Sequence, residues 1–231
     1  MTDTVIGIEN VRFAWARGPE VLDIPAFSLA RGERVFLKGP SGSGKSTLLG
    51  LIAGVLAPQA GTIRVLDQDM GALSAAKRDK LRADHVGVIF QMFNLVPYLS
   101  VTGNVLLPLR FSSARRKAAG ADAEGEARRL LARLGLTDEA LLSRRVSDLS
   151  VGQQQRVAAA RALIGAPDLI IADEPTSALD ADARDRFISL LSEEVERSGA
   201  SLLFVSHDAS LAPLFTRAVD LSAINRAGVT A

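Results

Sequence analysis

The sequence feature that most constrains the fold is a glycine-rich run, Gly39 to Ser46, which reads GPSGSGKS. A short apolar stretch, residues 34–38, leads into it, and a helical pattern over residues 45–55 follows and is ended by Pro58. Glycines let successive backbone N–H groups turn toward one anion, and the helix start directs the positive end of its dipole to the same point. The order strand, loop, helix therefore predicts a triphosphate site.

The side chains of this loop also have predicted tasks. Lys45 reaches the β- and γ-phosphates of ATP, and the Ser46 hydroxyl can ligate Mg²⁺. A glycine-rich turn without a ligand is the alternative, and the flanking strand and helix argue against it. The predicted nucleotide-binding residues here are Gly39, Pro40, Ser41, Gly42, Ser43, Gly44, Lys45, Ser46 and Thr47.

Strand patterns alternate with helical patterns along most of the chain, which predicts a mainly parallel sheet covered on both faces. The predicted strands are residues 5–13, 21–29, 34–38, 62–66, 86–90, 169–173 and 201–206, and the later helices are 124–134, 152–164 and 181–198. Residues 93–147 carry no convincing strand and are interpreted as a helical insert. Within it, residues 112–125, rich in Ser, Arg, Lys and Ala, are predicted to form an exposed, mobile loop.

Composition excludes several classes of site. The 231 residues are 48% hydrophobic, enough for one α/β domain with an inserted subdomain. The absence of cysteine excludes disulfides, thiolate metal sites and a cysteine nucleophile. A net charge of +1 offers no strong field for nucleic acid. No apolar stretch is long enough to span a bilayer, and the N-terminus shows no secretory signal.

Two carboxylates follow an apolar run that is typical of a buried parallel strand. The run is Leu169 to Ala172, and Asp173 and Glu174 come directly after it. Carboxylates at the end of a buried strand are costly unless a cation is near, and Mg²⁺-nucleotide supplies one. Asp173 is predicted to hold the metal, and Glu174 to act as general base on the attacking water. The alternative is a solvated turn before Pro175.

A second predicted phosphate site precedes the helix at residues 152–164. Ser150 is a good helix cap, and Gly152 lets a ligand approach the backbone. One ATP does not need two such sites in one chain, so the economical arrangement is a head-to-tail dimer in which this loop closes over the ATP of the other subunit. A plain capped helix is the alternative.

The combination of these motifs, in this order, resembles the nucleotide-binding domain of ATP-binding-cassette (ABC) transporters. The resemblance covers roughly residues 5–225 and rests on the phosphate loop, Gln91, Leu149 to Gln153, Asp173, Glu174, Ser177 to Asp180 and His207. It implies one cassette domain over residues 1–231, with a RecA-like P-loop NTPase core of mainly parallel sheet. It also implies an N-terminal antiparallel β subdomain, and places the core with this β subdomain at 1–92 and 148–231 and the α-helical subdomain at 93–147.

The resemblance assigns roles that the residues alone do not. Gln91 would touch Mg²⁺ or the attacking water, or be a plain polar residue at a strand end. His207 would contact the γ-phosphate, and Ser150, Gly152 and Gln153 would contact nucleotide across the dimer. Asp180 would couple the two sites or simply cap the next helix. Trp15 would stack on adenine or, since it shares a strand face with Val11 and Phe13, continue a core stripe.

The branch of the family and the partners follow from the same resemblance. Residues 91–97, QMFNLVP, and 101–105, VTGNV, are similar to the group that powers lipoprotein release and macrolide export, and also to some amino-acid importers. Residues 92–100 would meet a permease helix or be ordinary insert core. The implied partners are a second copy, membrane permease subunits and a periplasmic or extracellular accessory protein, without nucleic acid, on the cytoplasmic face of the membrane.

Other readings and two departures from the family pattern accompany this prediction. The rivals are a soluble ABC ATPase acting on DNA or the ribosome, a non-hydrolysing nucleotide switch, and a small-molecule kinase. Val151 stands where glycine is commonest. The stretch from Val219 to Asn225 lacks the usual glycine turn, and, because the chain ends at Ala231, no additional regulatory domain is expected.

Overall fold

A computed structural model describes residues 3–16 and 18–227 of the protein. The chain forms two compact units, one from Met1–Arg82 with Ser201–Ala231 and the other from Ala83–Ala200. The predicted boundaries of the helical subdomain, 93 and 147, stay a prediction. Arg17, between the first two predicted strands, lies outside the described residues, as do Met1, Thr2 and 228–231.

Strands and helices alternate through most of the chain, as the pattern predicts. The strands are β1 Thr4–Ala14, β2 Glu20–Ala30, β3 Arg34–Lys38, β4 Ala60–Val65, β5 Gln68–Asp69, β6 Val86–Ile89, β7 Leu169–Asp173, β8 Ser201–Ser206 and β9 Arg217–Asp220. The α-helices are α1 Lys45–Ile52, α2 Ala75–His85, α3 Val101–Leu106, α4 Pro108–Phe111, α5 Ser113–Ala119, α6 Ala123–Arg133, α7 Glu139–Leu142, α8 Val151–Leu163, α9 Ala181–Ser198 and α10 Leu221–Ile224.

The first unit contains antiparallel strands in the order β2, β1, β4, β5 and parallel strands in the order β8, β3, β9. In the parallel part, Phe36 of β3 pairs with Phe204 of β8. Together with Phe215 these rings form a cluster with centroids 5.0–6.3 Å apart. The centre of β3 is fully buried, which explains its continuous apolar sequence and anchors the loop that follows its carboxyl end.

The second unit is built around the parallel pair β6 and β7, with α8 packed against β6. A Cβ atom at Gly87 of β6 would overlap the carbonyl group of Ala162 in α8, so glycine permits this close approach. Helices α3 and α6 also pack on α8. Residues 93–147 contain helices and turns, and among these residues no strand occurs, as the sequence predicts.

The prediction of a loop at residues 112–125 is wrong, whereas most of these residues are exposed, as predicted. This segment forms α5 and the start of α6, and Arg115 is only 3% exposed. The Arg115 guanidinium donates to the carbonyl oxygens of Ala162 (2.7 Å) and Ile164 (2.8 Å), at the end of α8. Burial lowers the pKa of Arg115 to about 10. One arginine of this Arg- and Lys-rich segment is therefore buried and binds carbonyl groups at the end of α8.

Several elements were not anticipated from the sequence. They are the polar helix α2, the short helices α3, α4, α5, α7 and α10, and the strands β5 and β9. In α2 a single residue, Leu81, is buried, so it lacks the apolar stripe on which a helix prediction depends. Within the described part of the chain, none of the helices is both long and apolar enough to cross a bilayer.

Candidate functional site

The glycine loop connects the carboxyl end of β3 to the start of α1 in the first unit. Gly42 and Gly44 have φ values of 80° and 95°, the left-handed region that favours glycine. A Cβ atom at Gly44 would lie 2.7 Å from Leu22 Cδ2 and 3.2 Å from the Val21 carbonyl oxygen. Among the described residues, no side chain caps the start of α1. The loop is therefore shaped by its glycines to present backbone groups rather than side chains.

Lys45 is buried along this loop, with its ammonium group donating to the carbonyl oxygens of Gly39 (2.7 Å) and Pro40 (2.9 Å). The Ser43 hydroxyl is buried and, among the described residues, has no hydrogen-bond partner. A buried hydroxyl without a partner is costly, and an anion held by the loop would satisfy it. The residues present therefore fit a nucleotide phosphate, with Ser46 at the exposed start of α1 and Thr47 buried behind it.

A cleft of about 560 Å³ lies beside the loop in the same unit. It is lined by Pro19, Glu20, Val21, the loop residues 40–43, Ser222, Asn225 and Ala227. A volume of this size is typical of a small-molecule site. The loop and the cleft together form one concave surface of the first unit.

Trp15 lies just beyond β1 and is 52% exposed. Its ring makes a T-shaped contact with the ring of Phe13, with the two centroids 5.1 Å apart. Val11 and Phe13 are buried, so Trp15 does not continue their core stripe, and that alternative is wrong. Its stacking on adenine stays a prediction. His207 directly follows β8 and is exposed. Its contact with the γ-phosphate also stays a prediction.

The acidic strand end lies in the second unit, where β7 ends at Asp173. Glu174 follows in a left-handed conformation with φ of 46° and is only 8% exposed. A buried, non-glycine residue in this region is strained, and such strain concentrates at functional sites. The alternative of a solvated turn is therefore wrong for Glu174. Gln91 lies exposed two residues after the end of β6, also in this unit.

Ser150 caps α8 with a complete capping box. Its hydroxyl accepts from the Gln153 backbone N–H (3.3 Å), and the Gln153 side chain accepts from the Ser150 backbone N–H (2.9 Å). A Cβ atom at Gly152 would meet only Leu179 Cδ2, at an ordinary 3.6 Å. Packing within the chain therefore does not require glycine there. Asp180 caps α9 by accepting from the Ala183 N–H (2.8 Å), as the plainer prediction for it states.

Two residues that hold the segment after Gln91 were missed in the sequence. Arg161 of α8 donates to the carbonyl oxygens of Phe93 and Asn94, both at 2.6 Å, and its burial lowers its pKa. Asn104 accepts from the Val96 N–H (2.8 Å) and donates to the Val96 carbonyl (3.0 Å). These bonds fix the backbone while leaving Met92 and Tyr98 at its surface. In the sequence this role was indicated only by Asn104 itself, a polar residue in the otherwise largely apolar helix α3.

A parallel strand that runs into a glycine-shaped loop with a buried lysine defines a P-loop nucleotide-binding protein. The model of the family described as ABC transporter matches residues 22–177. The chain therefore belongs to the ABC transporter family, as the order of its motifs predicted. The predicted enzyme class, ATPase, and the predicted cofactors, ATP and Mg²⁺, are those of this family.

Individual relatives support the same assignment. The lipoprotein-releasing system ATP-binding protein LolD of Anaeromyxobacter dehalogenans (strain 2CP-C) is 42% identical over 220 residues, which cover 94% of this chain and 90% of that protein. The macrolide export ATP-binding/permease protein MacB of Rhodopseudomonas palustris (strain BisB18) is 41% identical over 191 residues, which cover 83% of this chain. The chain matches only 28% of the length of that MacB protein.

Solved structures confirm the predicted fold class. The dimeric structure of a post-hydrolysis state of the ATP-binding cassette MJ0796, bound to ADP and Pi, superposes with a TM-score of 0.82 at 33% sequence identity. The match covers 93% of each chain. A second neighbour, cbiO1 from Clostridium perfringens, part of the ABC transporter complex cbiONQ, has a TM-score of 0.76 at 28% identity over 92% of this chain. The combination of antiparallel and parallel strands is thus that of the cassette fold.

Proposed function

We propose that the chain is the ATP-hydrolysing subunit of a transporter and that it drives a separate membrane permease. The observation that carries the catalytic part is the buried, strained Glu174 directly after the acidic end of β7. A nucleotide switch that only binds ATP has no need of a carboxylate held in a costly conformation at this position. The proposal therefore favours turnover over a non-hydrolysing switch.

The proposed division of labour follows the residue types. Lys45 and the amides of the loop bind the phosphates, and Ser46, Asp173 and Gln91 hold Mg²⁺, which neutralises charge on the phosphates when bound. Glu174 accepts a proton from the attacking water, and His207 donates to the γ-phosphate. These fixed donors and charges stabilise the phosphoryl group as it transfers, the usual source of catalysis in such sites.

We further propose that two copies close head-to-tail around two ATP molecules. Ser150, Gly152 and Gln153 of the partner subunit would then complete each site. The open surface of Gly152 supports this role, because a second chain can approach its backbone closely. The dimeric neighbour bound to ADP and Pi provides a precedent within the family.

The permease partner is inferred from relatives and from one exposed segment. The LolD proteins are named as ATP-binding proteins of a releasing system, which supports the export branch over an amino-acid importer. Residues 92–100 expose Met92 and Tyr98, which are 81% and 75% accessible, on a backbone held by Arg161 and Asn104. Exposed apolar side chains on a fixed backbone suit a docking helix of a permease at the cytoplasmic face of the membrane. An accessory protein beyond the membrane is part of the same proposal.

Replacement of the proposed base tests the catalytic claim. Glu174→Gln is expected to keep ATP binding, to lower the steady-state hydrolysis rate by on the order of 10²–10⁴, and to accumulate an ATP-bound dimer in light scattering. The matched control is Glu139→Gln, which removes an exposed carboxylate from the first turn of α7. Hydrolysis by Glu174→Gln at the parent rate would show that the base is assigned wrongly.

Affinity purification from solubilised membranes tests the transporter claim separately. A tagged chain is expected to bring down an integral-membrane protein, and a variant with Met92→Glu and Tyr98→Glu is expected to lose it while keeping its ATPase rate. Capture of soluble proteins alone, with the same yield from both variants, would favour the soluble ABC ATPase instead.

A further inference from the structure

The C-terminal segment of the first unit lies against the phosphate loop. Residues 220–227 form the last residue of β9, helix α10 and the residues after it. The segment also contributes Ser222, Asn225 and Ala227 to the wall of the cleft beside the loop. Its contacts with the loop are specific rather than general packing.

Asn225 links the loop to β2 and to the end of the segment, because every polar group of its side chain that can bond is engaged. Its amide nitrogen donates to the carbonyl oxygens of Val21 (3.0 Å) and Ser43 (3.3 Å). Its amide oxygen accepts from the backbone N–H groups of Asp23 (2.8 Å) and Ala227 (3.2 Å). Because the amide nitrogen faces two carbonyl oxygens and the amide oxygen faces two N–H groups, the amide has only one orientation that satisfies all four bonds.

Two further contacts hold the other end of the loop. The Lys38 ammonium, on the residue just before Gly39, lies 3.1 Å from the Asp220 carboxylate. A Cβ atom added at Gly39 would lie 3.3 Å from Leu221 Cβ, so the fully buried Leu221 packs directly against the loop backbone. The segment thus contacts the loop at its first residue and again at Ser43.

The bond to the Ser43 carbonyl has a consequence for the next amide. A trans peptide is planar, with its C=O and N–H groups pointing in opposite directions. Because Asn225 holds the Ser43 carbonyl, it also determines the direction of the Gly44 N–H, one of the loop amides assigned to the phosphates. Without that bond the peptide plane is freer to rotate, since glycine at position 44 adds little barrier of its own.

We propose that Asn225 is a positioning residue for the phosphate loop, which pre-orients the Ser43–Gly44 peptide for nucleotide phosphate. The inference rests on the proposed nucleotide site, but not on the permease or the dimer. A pre-organised loop binds more tightly because less ordering remains to be done when the ligand arrives. Asn225 itself does not touch the phosphates, so its effect is on affinity rather than on the chemical step.

The test is the isosteric variant Asn225→Asp, which keeps the oxygen facing Asp23 and Ala227 but places a carboxylate oxygen against the carbonyls of Val21 and Ser43. Asn104→Asp is the matched control. Asn104 makes the same kind of clamp, with its amide nitrogen on the Val96 and Ser100 carbonyls and its oxygen on the Val96 N–H, in the second unit. The probe is Mg-ADP, measured by calorimetric titration on the full chain, with circular dichroism to verify folding.

Asn225→Asp is expected to weaken Mg-ADP binding about tenfold and to raise the KM for ATP more than it lowers kcat. Asn104→Asp is expected to lower the melting temperature yet to bind Mg-ADP as the parent does. Parent affinity in Asn225→Asp, or an equal loss in Asn104→Asp, would overturn the inference. If Asn225→Asp does not fold, Asn225→Ser takes its place with the same expectations. If the parent chain binds no nucleotide, the proposed function itself is wrong.

Discussion

The starts of helices α1 and α8 are both assigned to phosphate, yet they are built in opposite ways. The start of α1 follows left-handed Gly44, has no side-chain cap among the described residues, and is held through the distant Asn225. The start of α8 is capped by its own Ser150 and Gln153. The first is therefore a backbone cradle whose shape is imposed by its surroundings. The second satisfies two of its backbone N–H groups, those of Ser150 and Gln153, with its own side chains.

The contrast extends to the glycines of the two sites. Gly44 cannot carry a side chain, because its backbone is left-handed and Leu22 and Val21 occupy the space. Gly152 faces only an ordinary contact with Leu179, so packing within the chain does not require glycine there, and in the proposed dimer the partner subunit would. Replacement of Gly44 should thus damage both folding and nucleotide binding. Replacement of Gly152 should impair only dimerisation.

The largest effect is expected from Gly44→Ala, with Gly152→Ala as its counterpart. Gly44→Ala should abolish Mg-ADP binding in calorimetry and lower the free energy of unfolding in urea by at least about 1–2 kcal/mol, the cost of a left-handed alanine. Gly152→Ala should leave both quantities at parent values and remove ATP-dependent dimerisation in light scattering. Equal behaviour of the two variants in both assays would break the comparison.

An intermediate effect is expected at Ser150, where the cap and the proposed ligand contact can be separated. Ser150→Ala should lower the free energy of unfolding by about 1 kcal/mol through loss of the cap. Ser150→Asp keeps a capping oxygen and should retain parent stability, but its charge should repel ATP phosphate and prevent ATP-dependent dimerisation. Urea denaturation and light scattering measure the two quantities. Dimerisation of Ser150→Asp at parent ATP concentrations would show that Ser150 is only a helix cap.

The smallest effect is expected at the ion pair between Lys38 and Asp220. The hydrogen bond from Lys38 is the main cause that lowers the pKa of Asp220 below its ordinary value of 3.8. A carboxyl whose pKa is lowered by folding stabilises the folded protein at pH values above its unfolded pKa. That stabilisation is lost as the pH falls through the folded pKa. Asp220 is therefore ionised around neutral pH, and its contribution to Mg-ADP affinity should not change with pH there.

Substitution and salt together measure that contribution. Asp220→Asn should weaken Mg-ADP binding about two- to threefold at low ionic strength, because exposed ion pairs are worth little. The difference from the parent should shrink at 0.5 M salt. A loss as large as that of Asn225→Asp, or one that does not respond to salt, would mean that the pair acts by more than charge.

Much of the site was predictable because it is encoded in short stretches. The loop from Gly39 to Ser46, the strand ending at Asp173 and the cap at Ser150 each depend on neighbours within about ten residues, the range over which backbone preferences act. The roles of Gln91 and His207 came only from the order of motifs. Arg115 was mispredicted, because its charge suggested solvent whereas its partners are carbonyl groups nearly fifty residues further along the chain.

The sequence by itself determined the phosphate loop, its flanking strand and helix, and the family, since each follows from local chemistry or from the order of motifs. Only the tertiary structure showed that Glu174 is strained, that Arg115 closes the end of α8, and that Asn225 holds the Ser43 carbonyl. The last contact joins residues that are 182 positions apart. No local preference specifies such a pair; packing of the whole unit brings the two groups within hydrogen-bonding distance.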